Sequence, residues 1–238
     1  MIQKIKNLKL KLNFLIDWYH FKKLTGQNNR FPLIWKNRQA QLYDKTTTTD
    51  FDHHYLYHPS WAARIIKEIN PVYHIDISST INFCSILSAF IPVHFYDYRP
   101  ADINLDNLVS KSGDLMNLPL EDNSVKSLSC MHTIEHIGLG RYGDRLDPEG
   151  DIKAIKELKR VLAPGGSLIF VTPIGKTKLC YNAHRIYSYK QIIDLFSDLN
   201  LIEFSLIPNA GALIRHADPQ LADQEDYGCG CFWFKKNV

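Results

Sequence analysis

Asp76, Asp97 and Asp114 each sit at or just beyond the end of an apolar run (VYHID, PVHFYD, LVSKSGD), and His132 closes SVKSLSCMH in the same way. In an open α/β sheet, ligands bind outside the carboxyl ends of the strands, so these are the positions where side chains can do chemistry. Asp97 follows Asp76 by 21 residues. That is close to the spacing of about 20 at which an acid reaches the ribose hydroxyls of an adenine nucleotide held at the first strand. A carboxylate suits the task because it accepts hydrogen bonds from both vicinal hydroxyls. One such Asp alone reads as a turn former or helix cap. Three in register are harder to dismiss in that way.

A second group could move protons. His132, Glu135 and His136 lie within HTIEH, and His184 lies within YNAHRIYSY. Imidazole titrates near neutral pH and serves as a general base. His132, at a strand end, is the preferred base, with packing beside a cofactor as its plain alternative. HTIEH also matches H-x-x-E-H, a zinc-peptidase pattern with two His one helical turn apart. That chemistry needs a sustained helix, yet Gly138 and Gly140 follow at once and an apolar run precedes. No resident metal is therefore assigned. The glycine-rich, charged segment GLGRYGDRLDPEG (138–150) reads as a lid or acceptor-binding loop, or else as a solvated connector. Arg141, Tyr142, Asp144 and Arg185 are its candidate contacts to a polar acceptor.

The elements that must hold these residues alternate. SWAARIIKEIN reads as a short helix capped by Ser60, VYHID as the first strand, and Phe83, Ile86, Leu87 and Phe90 as one helical face. PVHFYD, LVSKSGD and SVKSLSCMH read as strands. A helix then opens at LDPEGD with Asp147 as cap and Pro148 at its first position, and stops at APGG. SLIFVTP is a strand, SYKQ (188–191) a capping box opening a helix, and LIEFSLIP and CGCFWFKK are closing strands. CGCFWFKK is apolar on both faces, as a strand covered on each side must be. The alternation specifies a doubly wound α/β domain over residues 51–238.

Residues 1–40 hold nine Lys or Arg against the single acid Asp17, a charge of +8, whereas residues 41–238 carry −5. Ile5, Leu8, Leu12, Leu15, Ile16 and Tyr19 recur at helical spacing, and residues 25–52 read as a linker, so residues 1–50 form a basic helical extension. It is expected to dock on a partner or lie on an anionic membrane surface. The body is acidic and has no base-stacking motif, so nucleic acid is not an expected partner. Five cysteines, an odd number without a CxxC pair, exclude a disulfide framework. No apolar run reaches the roughly 20 residues of a membrane span. The expected location is the cytoplasm, with peripheral membrane contact.

The segments GDLMNLPLEDNSVKSLSCMHTIEHIG and AIKELKRVLAPGGSLIFVTP resemble the middle of class I S-adenosylmethionine-dependent methyltransferases, most of all a subset known only as a domain of unknown function. The resemblance covers roughly residues 60–236. It implies a Rossmann-like, seven-stranded, mostly parallel sheet with helices on both faces and an antiparallel last strand. It also implies S-adenosyl-L-methionine as cofactor, with Asp97 and Tyr98 at the ribose and Asp114 and Leu115 beside the adenine. Cys130 and His132 would face the methionine end, and Asp76, Ser78 and Ser79 the loop that cradles it. The sequence departs from the family's DxGxGxG pattern: Ser78, Thr80 and Asn82 occupy the glycine positions. A hydroxyl residue in left-handed backbone costs about 1–2 kcal/mol, so a differently shaped turn is expected. O-methylation of a small polar or saccharide acceptor is the resulting expectation. A methyltransferase-like binding protein without catalysis is the alternative from another class, and an NAD enzyme lacks the glycines to cradle a pyrophosphate.

Overall fold

A computed structural model describes residues 2–26 and 30–238, so positions 27–29 of the expected linker lie outside the described residues. The chain forms two compact units, 1–51 and 52–238. In the first, helix α1 (Ile2–Thr25) is met by the segment read as a linker. The Trp35 ring stands edge-on to Trp18 at 5.0 Å and lies 6.5 Å from Phe14. Tyr43 donates to Asn7 Oδ1 at 3.2 Å, and Lys45 pairs with Asp17. Part of the expected linker is thus folded back on the helix, because its aromatic residues find ring partners there. Among the described residues no helix is long and apolar enough to cross a membrane.

The second unit is built on a seven-stranded sheet in the order β3-β2-β1-β4-β5-β9-β8. The strands are β1 (His74–Ile77), β2 (Val93–Asp97), β3 (Leu108–Ser112), β4 (Val125–Met131), β5 (Leu162–Ile174), β8 (Leu199–Ile207) and β9 (Gly228–Lys236). β1 to β5 pair in parallel, and β9 runs antiparallel between β5 and β8. A small hairpin, β6 (Lys178–Cys180) and β7 (His184–Ile186), leaves the end of β5 and was not evident in the sequence. The strand order reverses between β1 and β4, which opens a crevice at their carboxyl ends.

Alternation along the strands sorts side chains into two cores. Leu168 and Phe170 of β5 and Phe232 and Phe234 of β9 pack under α4 (Gly150–Val161), α5 (Tyr189–Leu195) and α6 (Pro219–Gln224). Ile169, Val171, Cys229 and Cys231 face α2 (His53–Ile69) and α3 (Ile81–Leu87). Both sheet faces are therefore covered, and a near-continuous apolar strand such as β9 is the consequence.

Three boundaries differ from expectation. α2 starts at His53, seven residues before Ser60, with Asp52 accepting from Tyr55 N at 3.0 Å as cap. Pro59 lies inside α2, and Ser60, the expected cap, instead donates from Oγ to Tyr57 O. α4 starts at Gly150 after Glu149 rather than at Asp147, whose carboxylate accepts from Glu149 N at 3.0 Å in the preceding turn. α3 ends at Leu87, so Phe83, Cys84 and Leu87 are buried while Ile86 and Phe90 remain exposed. The capping box of α5 is formed as expected by Ser188 and Gln191.

Candidate active site at the sheet rim

The loop after β1 departs from the expected shape. Ser78, at the first glycine position, does adopt the left-handed conformation, with φ +55°. Its cost is offset by two hydrogen bonds to Tyr96 O, from N at 2.8 Å and from Oγ at 3.2 Å. His132, after β4, is the second left-handed residue on this rim, with φ +53°, and its N–H donates to Val171 O at 2.8 Å. Thr133 Oγ1 donates to Ser78 O at 3.0 Å and ties the two turns together. Strained non-glycine residues persist where surrounding structure fixes them, commonly at functional sites.

Asp76 fixes this loop from beneath. It is fully buried, and its carboxylate accepts from Ser79 N at 3.0 Å and from Ser129 Oγ. Burial raises its pKa from 3.8 to about 6, against the hydrogen bonds from Ser129 and Ser79. His74 continues the polar string, with Nδ1 2.7 Å from Ser127 Oγ and Nε2 2.8 Å from Ser129 Oγ; burial lowers it to about 3 and keeps it neutral. Asp76 shapes the pocket without facing it.

Three hollows surround the Ser78–Thr80 turn. The first, about 380 Å³, is lined by Tyr55, Ser78, Ser79, Thr80, Met131, His132, Glu135, His136, Arg141, Tyr142, His184 and Tyr227. The second, about 340 Å³, lies between Ser79, Thr80, Asn82, Phe95, Asp97 and Arg99. The third, about 180 Å³, joins Ser78, Asp97, Tyr98 and Arg99 to His132, Thr133, His136 and Tyr142. Asp97 therefore borders two hollows, and its Oδ1 accepts from Arg99 N at 2.7 Å. Asp114 and Leu115 border none of the three. Asp114 Oδ1 closes its own turn by accepting from Met116 N at 2.8 Å, and Leu115 is buried in the core beneath α4. Cys130 is fully buried in the same core.

The candidate bases separate clearly. His132 is 8% exposed, with Nδ1 3.0 Å from Glu135 Oε1 and Nε2 3.3 Å from Cys229 Sγ, so both ring nitrogens face protein atoms. His136 Nδ1 lies 2.6 Å from Ala183 O. Glu135 is 1% exposed and bonded to His132. His184, carried by β7 and touching the Tyr227 ring at 5.2 Å, has no hydrogen-bond partner for its ring nitrogens among the described residues. Burial lowers its pKa, so it is neutral near pH 7 and able to accept a proton.

The four acceptor candidates divide in two. Arg141 and Tyr142 line the first hollow, Arg141 Nη1 donating to Ala183 O at 3.1 Å and its guanidinium lying 5.0 Å from the Tyr142 ring. Asp144 instead folds its own loop, accepting from Gly138 N at 2.9 Å, Gly140 N at 3.3 Å and Tyr142 N at 3.1 Å. Arg185 braces the loop base through Ile137 O at 2.7 Å and Pro148 O at 3.3 Å. Gly138 (φ +78°) lies so close to this base that a Cβ would stand 2.1 Å from Asp147 O. The segment is thus folded on its own Asp144 and braced at its base by Arg185, with Arg141 and Tyr142 lining the first hollow. HTIEH also departs from the zinc-peptidase pattern, since residues 134–136 form a single 3₁₀ turn.

Tyr55 and Tyr227 are rim residues the sequence did not single out. Tyr55 was hidden by the misplaced start of α2. Tyr227 precedes β9, and because β9 is antiparallel its first residues lie where the parallel strands end: Gly228 pairs with Ile174, the last residue of β5.

Residues 117–207 match the model of a family described as Caenorhabditis protein of unknown function, DUF268. A search of curated proteins finds no match to the sequence. Among solved structures, the chain is similar to N-methyltransferase NodS from Bradyrhizobium japonicum in complex with S-adenosyl-L-homocysteine (TM-score 0.55, 14% identity, covering 76% of this chain and 86% of that one). It is also similar to Burkholderia thailandensis 1,6-didemethyltoxoflavin-N1-methyltransferase with bound 1,6-didemethyltoxoflavin and S-adenosylhomocysteine (0.54, 10%, 76% and 79%). The [4+2]-cyclase SpnF is a third (0.52, 14%, 74% and 81%). The fold is that of class I S-adenosylmethionine-dependent methyltransferases.

Proposed function

We propose that the chain is an S-adenosyl-L-methionine-dependent methyltransferase acting on a hydroxyl of a small polar or saccharide acceptor. The observation that carries this reading is a set of adjoining rim hollows that share lining residues, with Asp97 bordering two of them and His184, Arg141 and Tyr227 lining the first. The residues present fit the cofactor at its sugar and amino-acid ends. Asp97 and the adjoining Tyr98 would hold the ribose, while the Ser78–Thr80 turn would border the amino-acid end. When bound, the cofactor supplies a sulfonium methyl as electrophile. The protein's part is to orient the acceptor, exclude water and take one proton. Arg141 and Tyr142 offer donors to acceptor hydroxyls, and His184, neutral and facing the first hollow, takes the proton of the attacking oxygen.

One observation favours a second reading, a binding protein without turnover. The Ser78 and Ser79 amides are spent on Tyr96 O and Asp76, so neither is free to contact a ligand. SpnF, a cyclase on a similar fold, illustrates that this architecture does not by itself dictate methyl transfer. The location that best suits either reading is the cytoplasmic face of a membrane, since the basic first unit suits anionic lipid.

Transfer is tested with methyl-labelled S-adenosylmethionine and a panel of hydroxyl acceptors, including free and lipid-linked sugars. Label in an acceptor with the wild type, lost in His184→Gln, supports the methyltransferase. Cofactor binding with no label in any acceptor supports the binding protein.

A further inference from the structure

Beneath the first hollow lies a cluster that methyl transfer does not use. His58 of α2, His132 after β4 and Cys229 of β9 bring two ring nitrogens and a sulfur within 4.8 Å of one another, and all three residues are buried. Among the described residues this is the one group of three or more His, Cys, Asp or Glu so arranged. We propose that His58, His132 and Cys229 form a binding site for a zinc-class divalent ion, ligated by Nε2, Nε2 and Sγ.

The hydrogen bonds set the donors. His58 Nδ1 lies 2.7 Å from His54 O, a group that only accepts, so Nδ1 carries the proton and Nε2 presents its lone pair. His132 Nδ1 lies 3.0 Å from Glu135 Oε1, which likewise leaves Nε2 as the donor atom toward the cluster. A backbone carbonyl and a carboxylate behind two histidines are the usual outer partners of ligating imidazoles, fixing tautomer and ring orientation. The His132 Nε2 to Cys229 Sγ separation of 3.3 Å is close to the roughly 3.5 Å between ligand atoms of a tetrahedral zinc with Zn–N of about 2.1 Å and Zn–S of about 2.3 Å.

The second, independent observation is an orphan. His58 is fully buried, yet its Nε2 has no hydrogen-bond partner. Buried polar atoms are rarely left so, and an unpaired lone pair aimed at an imidazole and a thiol has a natural occupant in a cation. Two nitrogens with one sulfur suit zinc, while calcium and magnesium prefer oxygen. On binding, the Cys229 S–H bond breaks, the thiolate binds the ion and the proton passes to solvent.

This set differs from the one HTIEH suggests. His136 is turned to Ala183 O and is not part of the cluster, and Glu135 acts behind His132 as a positioning residue. The ion would join α2, β4 and β9, elements far apart in sequence. Three protein ligands leave a fourth position, and His132 also lines the hollow where an acceptor would sit.

The experiment uses the full chain purified without chelator. Elemental analysis should find about one zinc per chain, and replacement by Co²⁺ should give visible d–d bands and a near-ultraviolet thiolate-to-cobalt band. Cys229→Ser, if folded by circular dichroism, should lose the thiolate band, and His58→Gln should weaken Co²⁺ binding at least about 100-fold. His136→Ala should leave both bands in place. If Cys229→Ser does not fold, the wild-type spectrum decides alone. Absence of zinc together with absence of cobalt bands in the wild type overturns the site. Bands retained in Cys229→Ser but lost in His136→Ala also overturn it, in favour of the HTIEH ligand set.

Discussion

His132 Nε2 and Cys229 Sγ, 97 positions apart in the chain, meet at 3.3 Å across the end of the sheet. The contact arises because β9 runs antiparallel beside β5, which brings its first residues to the rim where β4 ends. It occupies the nitrogen a catalytic base would need, which leaves His184 as the base in the proposed function.

His184→Gln is therefore expected to lower kcat by a factor of about 10²–10⁴, the usual span for one general base. In the wild type the acid limb of the kcat/KM profile should have its midpoint below about 6.5, the ordinary histidine value, because burial lowers the His184 pKa. Activity rises with pH through that midpoint as the imidazole loses its proton. A pH–rate profile with a limb at or above the ordinary value would assign the base elsewhere.

Asp76 gives a stability signature of the opposite sign to most acids. Its folded pKa of about 6 exceeds the value of 3.8 in an unfolded chain. The folded state therefore binds a proton the unfolded state has lost, and the resulting stability is present in full below pH 3.8 and lost as pH rises through about 6. Asp76→Asn removes this dependence. Across pH 4–6 wild-type stability should fall relative to the variant by roughly 2 kcal/mol, read from urea midpoints. A constant difference across that window would contradict the assignment.

Glu203 behaves in the ordinary direction. Burial pushes its carboxyl up, but hydrogen bonds from Arg215, Ser205 and Trp61 outweigh that and hold it at about 2, below the usual 4.5. Its contribution is present above pH 4.5 and lost as pH falls through about 2. Since Trp61 Nε1 of α2 donates to Glu203 of β8 at 2.9 Å, Glu203→Gln should cost about 2 kcal/mol at pH 7 in chemical denaturation.

The bracing of the 138–150 loop is tested by two glycines. Gly138→Ala puts a methyl 2.1 Å from Asp147 O, so it should destabilise by at least about 2 kcal/mol and raise KM for the acceptor. Gly143 (φ +84°) has open space around it, and its replacement should cost only the backbone term of about 1 kcal/mol. Equal effects, measured as thermal midpoints, would contradict the bracing.

Much of this was legible in the chain. The strand ends at Asp76, Asp97, Asp114 and His132, the capping box at Ser188 and the apolar doubling of CGCFWFKK follow from local patterns that tertiary structure preserves. What was lost depends on longer-range facts. Reading Ser60 as the cap hid two turns of α2 and with them His54, Tyr55 and His58, because a serine is as good a local start signal as the true cap Asp52. The roles of Asp144 and Arg185 were hidden because loop carboxylates and arginines fasten backbone as readily as they bind ligands. Tyr227 and Cys229 were missed because residues before an antiparallel strand share the rim with residues after parallel ones.

The central claim is most directly tested by titrating purified protein with S-adenosylmethionine in a calorimeter, beside Asp97→Ala. The prediction is one-to-one binding to the wild type, weakened at least about tenfold in the variant, equivalent to about 1.4 kcal/mol for the lost ribose contact. No heat from the wild type, or equal affinity in both proteins, would contradict it.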